Sequence, residues 1–133
     1  MACVIVAAPA AATAITRMQK ITIWHNPRCS KSRETLALLQ SGDSEIHVVE
    51  YLKAPPSIEE IEHALALLQL QPRDLMRQNE KEYRDQHLDR ATLSRAELIA
   101  ALHDFPILIQ RPIVFANGQA RIGRPPQSVL EIL

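Results

Sequence analysis

Apolar and polar positions change their period several times along this chain, and each change marks an element. Ile21-Thr22-Ile23-Trp24 alternates with period two and predicts a strand over residues 20–25. Residues 31–41 switch to helical spacing, which stops at Gly42, a residue suited to end a helix. Ile46-His47-Val48-Val49-Glu50-Tyr51-Leu52 returns to strand character. Strand, helix and strand in close succession form a βαβ unit, whose crossover makes the strands parallel and the connection right-handed.

Pro55-Pro56 then breaks the pattern. Ser57-Ile58-Glu59-Glu60 is a capping-box signature, followed by an apolar stripe at Ile58, Ile61, Leu65 and Leu68. Pro72 suits the first turn of a short helical segment running through Arg77. A second capping box, Ser94-Arg95-Ala96-Glu97, opens a helix carrying Leu98, Ile99 and Leu102. Near the end, Pro112–Ala116 and Ala120–Ile122 flank Asn117-Gly118, with Gln119 also available to the turn, which predicts an antiparallel hairpin. Val129, Leu130, Ile132 and Leu133 form a short closing helix after Pro125-Pro126. The order is a βαβ unit, a helical block over roughly residues 53–110, then a ββα unit. That is an α/β, thioredoxin-like arrangement: a mixed four-stranded sheet with a helical insertion between the second and third core strands. In it, Pro112 opens the third strand and is expected in cis, facing the site at Cys29 and holding Arg111 near its mouth.

Composition narrows the class without choosing a function. A chain of 133 residues fits one domain with or without a tail, and 47% apolar residues exclude a disordered chain. Fifteen Lys+Arg against fifteen Asp+Glu leave no basic excess for general nucleic-acid binding. Two cysteines cannot build a disulfide scaffold, and such low use suits a reducing, cytoplasmic setting. Residues 1–17, MACVIVAAPAAATAITR, are alanine-rich and uncharged before Arg17. Ala12-Thr13-Ala14 resembles a signal-peptide cleavage site, yet the basic leading region is missing and the apolar stretch is too short to span a membrane. The composition favours a disordered extension, or a start at Met18, so the domain is placed at 18–133 and Cys3 is given no role.

The chemistry gathers at His25-Asn26-Pro27-Arg28-Cys29-Ser30-Lys31-Ser32-Arg33, between the first strand and the first helix. A cysteine there meets the unpaired N–H groups and the positive dipole end of the helix. Arg28, Lys31 and Arg33 crowd the same place. A free thiol has a pKa of about 8.5, which such surroundings lower to about 3.5–7.5. Cys29 is thus the candidate nucleophile. The duller reading of a lone cysteine is a small buried hydrophobe, and most single arginines are solvated surface. His47, His63, His87 and His103 lack metal-ligand spacing, so no metal site is expected.

HNPRCSKSRETL at 25–36, YLKAPPS at 51–57, LMRQNE at 75–80, PILIQRPIVFANG at 106–118 and ARIGRPP at 120–126 together resemble the arsenate reductase family that uses glutathione and glutaredoxin. The spacing matches from about Lys20 to Leu133, most closely that of the short bacterial members. The cysteine motif alone would also fit a monothiol glutaredoxin. The resemblance implies Cys29 as the nucleophile, Arg77, Arg111 and Arg124 as oxyanion-binding arginines, and His25 as a support for the thiolate. Gly123 departs from members that carry a second, non-essential cysteine there, and the long C-terminal tail of some members is missing. Arsenate as substrate, glutathione as co-substrate, glutaredoxin as partner and no tightly bound cofactor follow from the same likeness, and a monomer is the expectation beside them.

The residues suit that chemistry on physical grounds. A thiolate attacking an oxyanion brings negative charges together, and fixed cations must offset the repulsion. Arginine does this well through its planar, permanently charged fork. Ser32, in the position where a neighbouring thiol could resolve a covalent adduct, leaves that task to an external thiol. Two other functions share the motif: a thiol-disulfide or deglutathionylating enzyme, and a non-enzymatic regulator that binds RNA polymerase. The three arginines favour the first function over the disulfide enzyme, and Ser32 removes the two-cysteine switch expected of the regulator.

Overall fold

The computed structural model describes residues 19–133, and the expectations for residues 1–17, Cys3 and a Met18 start lie outside them. Strand β1 (Lys20–Trp24) is followed by helix α1 (Ser30–Gln40) and strand β2 (Glu45–Val49). Helices α2 (Ile58–Leu68), α3 (Lys81–Asp85) and α4 (Arg95–Asp104) come next, before strands β3 (Ile113–Ala116) and β4 (Gln119–Ile122). Three 3-10 turns, Pro72–Leu75, Pro106–Leu108 and Pro126–Ile132, complete the order.

The sheet runs β2-β1-β3-β4. β1 and β2 are parallel, with Trp24 opposite Val49, while β1–β3 and β3–β4 are antiparallel. Alternation along the central strands divides two cores, as the pleat requires. Ile21, Ile23, Val114 and Ala116 face Leu39 of α1 and Val129 and Ile132 of the closing turn. Trp24, Ile113 and Ala120 face the other way, onto Ile61 and Leu65 of α2 and Leu98, Ile99 and Leu102 of α4. This is the thioredoxin-like arrangement with its helical insertion between β2 and β3.

Both expected capping boxes close. Ser57 N–H donates to Glu60 Oε1 at 2.8 Å and Glu60 N–H to Ser57 Oγ at 3.1 Å. The same exchange joins Ser94 and Glu97 at 3.0 and 3.1 Å. The hairpin turn is tighter than the sequence required. Gln119 pairs with Ala116, leaving Asn117 (φ 53°) and Gly118 (φ 71°) as a two-residue turn in the left-handed region that suits these residues.

Other details differ from the pattern. β2 ends at Val49 rather than Leu52, because its partner leaves the ladder after Trp24 and the last bond is His25 N–H to the Val49 carbonyl. The N–H groups of Lys53 and Ala54 then turn back onto the Glu50 carbonyl. Ile58, first residue of α2, is 44% exposed, and the buried stripe is Ile61, Ala64 and Leu65. The closing helix is 3-10 rather than α, and α3 was not foreshadowed by any capping signal.

Candidate active site

Cys29 is the N-cap residue of α1, with extended backbone angles (φ −95°, ψ 123°) and no side-chain capping hydrogen bond. The loop before it is tied by Asn26, whose carbonyl accepts the Cys29 N–H at 3.0 Å and whose Oδ1 accepts the Arg28 N–H at 3.0 Å. The first turn of α1 holds no acidic residue to draw off its positive field. The thiol is buried, which pushes its pKa up, yet the balance lies below the ordinary value. Hydrogen bonding and charge from Arg111, together with the backbone N–H groups of Ser32 and Lys31, outweigh the desolvation.

Two of the three cations of the cysteine motif are turned to other work. Arg33 Nη1 donates to the Pro27 carbonyl at 2.9 Å, and Lys31 lies 3.7 Å from Glu34. The arginines that act at the sulfur come from the far end of the sequence. Arg124 Nη2 is 3.9 Å from Cys29 Sγ, and Arg124 Nε donates to the Arg111 carbonyl at 2.9 Å. Arg111 follows the helical insertion, at the cis Arg111–Pro112 bond expected from the sequence. Its Nε and Nη1 are buried and have no hydrogen-bond partner.

Arg77 reaches this group through a small clasp. Met76 and Ile109 form an isolated antiparallel bridge, Arg77 N–H donates to the Leu108 carbonyl at 2.6 Å and Gln110 N–H to the Leu75 carbonyl at 2.8 Å. The clasp sets Arg77 and Arg111 around one carboxylate. Glu80 Oε2 accepts from Arg77 Nε at 2.9 Å and lies 3.8 Å from Arg111 Nη1.

His25 and Ser32 meet each other rather than the thiol. His25 Nδ1 and Ser32 Oγ are 2.7 Å apart, and Ser32 Oγ also accepts the Asn26 N–H at 3.0 Å. All three residues are buried. Burial, aided by Arg33 and opposed by Glu50, lowers the His25 pKa, so the ring is neutral at neutral pH. The expected hydrogen-bond support of the thiolate by His25 is therefore indirect: the imidazole fixes Ser32 and, through it, the loop that presents Cys29.

Sequence reasoning passed over two residues here. Glu80 lay inside a recognised segment but carried no role, although an acid three residues beyond Arg77 was the available signal. Tyr51 was read as strand and as part of the YLKAPPS likeness but given no role, yet it is fully buried and its pKa is pushed up to about 12, chiefly by burial. Arg111, Cys29 and Arg77 all act on its hydroxyl electrostatically. It lies just past the carboxyl end of a parallel strand, where ligands gather in open α/β sheets, a position concealed by the strand expected through Leu52. Gly123 has a packing reason: a Cβ would lie 2.6 Å from Thr35 Oγ1 and 2.9 Å from Pro112 Cγ.

Among the described residues, no group of three or more His, Cys, Asp or Glu could hold a metal ion. Nor is any helix there long and apolar enough to cross a membrane. Among the described residues, a thioredoxin-like sheet presents one free cysteine at a helix start, with guanidinium groups of Arg111 and Arg124 beside it. The chain belongs to the ArsC family, whose model matches residues 24–132. It is 49% identical over 116 residues to the Escherichia coli (strain K12) protein named uncharacterized protein YfgD, covering 86% of this chain and 98% of that one. It is 41% identical over 117 residues to a Neisseria meningitidis protein named arsenate reductase, covering 87% of this chain and all of that one. The structure of a protein described as arsenate reductase from Vibrio cholerae superposes with a TM-score of 0.85 at 48% identity, covering 87% of this chain and 99% of that one.

Proposed function

We propose that this protein reduces arsenate to arsenite through the Cys29 thiolate, with glutathione and a glutaredoxin supplying the electrons. One observation carries the reading: guanidinium groups from separate parts of the chain converge on a thiol with a lowered pKa, and Arg111 keeps two buried donors unpaired beside it. Donors left unpaired in a protein interior are costly, and a tetrahedral oxyanion offers the negatively charged acceptors that would satisfy them. Relatives named arsenate reductase support the choice of arsenate among oxyanions.

In this mechanism Arg111, Arg124 and Arg77 bind the oxyanion, with Glu80 holding Arg77 and Arg111 in place before substrate arrives. The Cys29 sulfur forms a bond to arsenic as one arsenic–oxygen bond breaks, and that oxygen leaves as water after protonation. Glutathione adds to the arsenic of the adduct as a second water departs. The glutaredoxin thiolate then attacks the glutathione sulfur. The electron pair of the sulfur–arsenic bond stays on arsenic, which passes from As(V) to As(III), while glutathione leaves as a mixed disulfide with glutaredoxin. Hydrolysis of the remaining Cys29–arsenic bond frees arsenite. Ser32 provides no second thiol to the loop, so resolution falls to these external thiols.

The test is NADPH consumption with arsenate, glutathione, glutathione reductase and glutaredoxin, comparing the protein with Cys29→Ser. Turnover that depends on Cys29 is expected. A folded protein with a reactive thiol and no arsenate turnover would shift the assignment to thiol-disulfide chemistry.

A further inference from the structure

Tyr51 is the largest fully buried side chain among the described residues, and its hydroxyl has no hydrogen-bond partner. The Asn26 amide is nearby but outside bonding geometry. Only three buried side-chain nitrogen or oxygen atoms lack a partner among the described residues: Tyr51 Oη, Arg111 Nε and Arg111 Nη1. All three can donate, and the two on Arg111 can do nothing else.

Chain geometry explains why they gather. Tyr51 lies two residues beyond the end of β2, at the carboxyl end of the parallel pair, beside the loop that leaves β1 for Cys29. Arg111 arrives at the same edge, one residue before Pro112 and the start of β3. A tyrosine that only filled the core would place its oxygen on a carbonyl or at the surface. Here the oxygen is enclosed within reach of the charges on Arg111, Cys29 and Arg77. Buried polar atoms are nearly always paired, so clustered exceptions of one chemical type call for an acceptor from outside the chain.

We infer that the Tyr51 hydroxyl donates a hydrogen bond to the oxyanion bound at Cys29, as the uncharged arm of the arginine site. This rests on the oxyanion reading given above. No proton is transferred: a phenol whose pKa is pushed up to about 12 stays protonated and serves as donor only. A donor with no charge adds directionality where the arginines add attraction, and it favours a ligand presenting charged oxygens over a disulfide, whose sulfur is a weak acceptor.

Tyr51→Phe removes the oxygen and keeps the ring, so the fold is expected to melt at or above the parent temperature. Arsenate is titrated calorimetrically into Cys29→Ser and into Cys29→Ser/Tyr51→Phe, which isolates binding from turnover. A dissociation constant about tenfold weaker in the double variant is expected, the order for losing one hydrogen bond to a charged group. In the Cys29-containing protein, Tyr51→Phe should raise KM more than it lowers kcat and leave the thiol titration in place. Equal arsenate affinity in the two serine variants overturns the inference, as does binding to neither. A shifted thiol pKa with unchanged affinity also overturns it, since Tyr51 would then be positioning Cys29. If the parent binds arsenate but never reduces it, the reductase reading fails alone, and the affinity comparison still decides the role of Tyr51.

Discussion

Two kinds of helix start coexist in this molecule. α2 and α4 begin with serines whose oxygens accept the N–H of the fourth residue, while glutamates return the bond. α1 begins with Cys29, which makes no capping bond and is followed by no acid in the first turn. Serine or aspartate would stabilise that end; a thiol leaves the N–H groups and the dipole free to favour an anion. The insertion is closed on itself, whereas the α1 end is kept open for chemistry.

The largest effect should come from closing that open start. Cys29→Ser places a good capping residue at the N-cap, and it should abolish arsenate turnover, by a thousandfold or more on the order of losing a covalent nucleophile. At a pH below the folded thiol pKa the same variant should melt no lower than the parent, because serine caps better than cysteine. Activity assays and thermal denaturation on one preparation check both halves. A variant that lost stability at that pH as well as activity would show that the thiol packs as a core group and that the contrast between helix starts is wrong.

Next in size is Arg111→Lys. It keeps the charge but removes the fork whose Nε and Nη1 stand unpaired. A fall in kcat/KM of about ten- to a hundredfold is expected, the range for losing hydrogen bonds to a charged ligand. The thiol pKa should rise as the hold of the Arg111 guanidinium on the sulfur weakens, which thiolate absorbance follows. Unaltered kinetics would mark Arg111 as a bystander.

A smaller change probes the closed starts. Ser57→Ala should cost about 1 kcal/mol in denaturant unfolding, the usual worth of a serine cap. Its kcat/KM should match the parent, because the Ser57–Glu60 exchange is exposed and involves none of the residues placed around Cys29. Reduced turnover at full stability would mean that the insertion steers the site through α2.

The contrast also explains which features the sequence displayed. Ser57 and Ser94 announce their helices because capping is local, completed within four residues. Asn117-Gly118 announces the hairpin for the same reason. The cysteine loop was legible as a strand-to-helix junction, and resemblance supplied the three arginines. The clasp of Met76 on Ile109 was not legible, since pairing between distant segments leaves no local period. Nor was the exchange between His25 and Ser32, although each residue stood out separately. Tyr51 was hidden because an aromatic in an apolar run looks like core until its hydroxyl is found without a partner.

The smallest effect is a pH dependence. The Cys29 pKa is lower in the folded protein than the ordinary thiol value of 9.0, which stands for the unfolded chain. Between the two values the unfolded thiol holds a proton that the folded one has released, so stability rises with pH across that window. The contribution is complete above the ordinary value of 9.0 and is lost as pH falls through the folded value. Cys29→Ser has no such group, so the stability difference, parent minus variant, should climb through the window and then level. Burial holds His25 below its ordinary 6.5, and Tyr51 is pushed up to about 12, so the steps of both fall outside the upper part of the window and occur in both proteins. Urea unfolding of the pair at successive pH values measures the climb. A flat difference would mean that desolvation cancels what Arg111 and the α1 N–H groups provide, and that the open helix start stabilises no anion until substrate arrives.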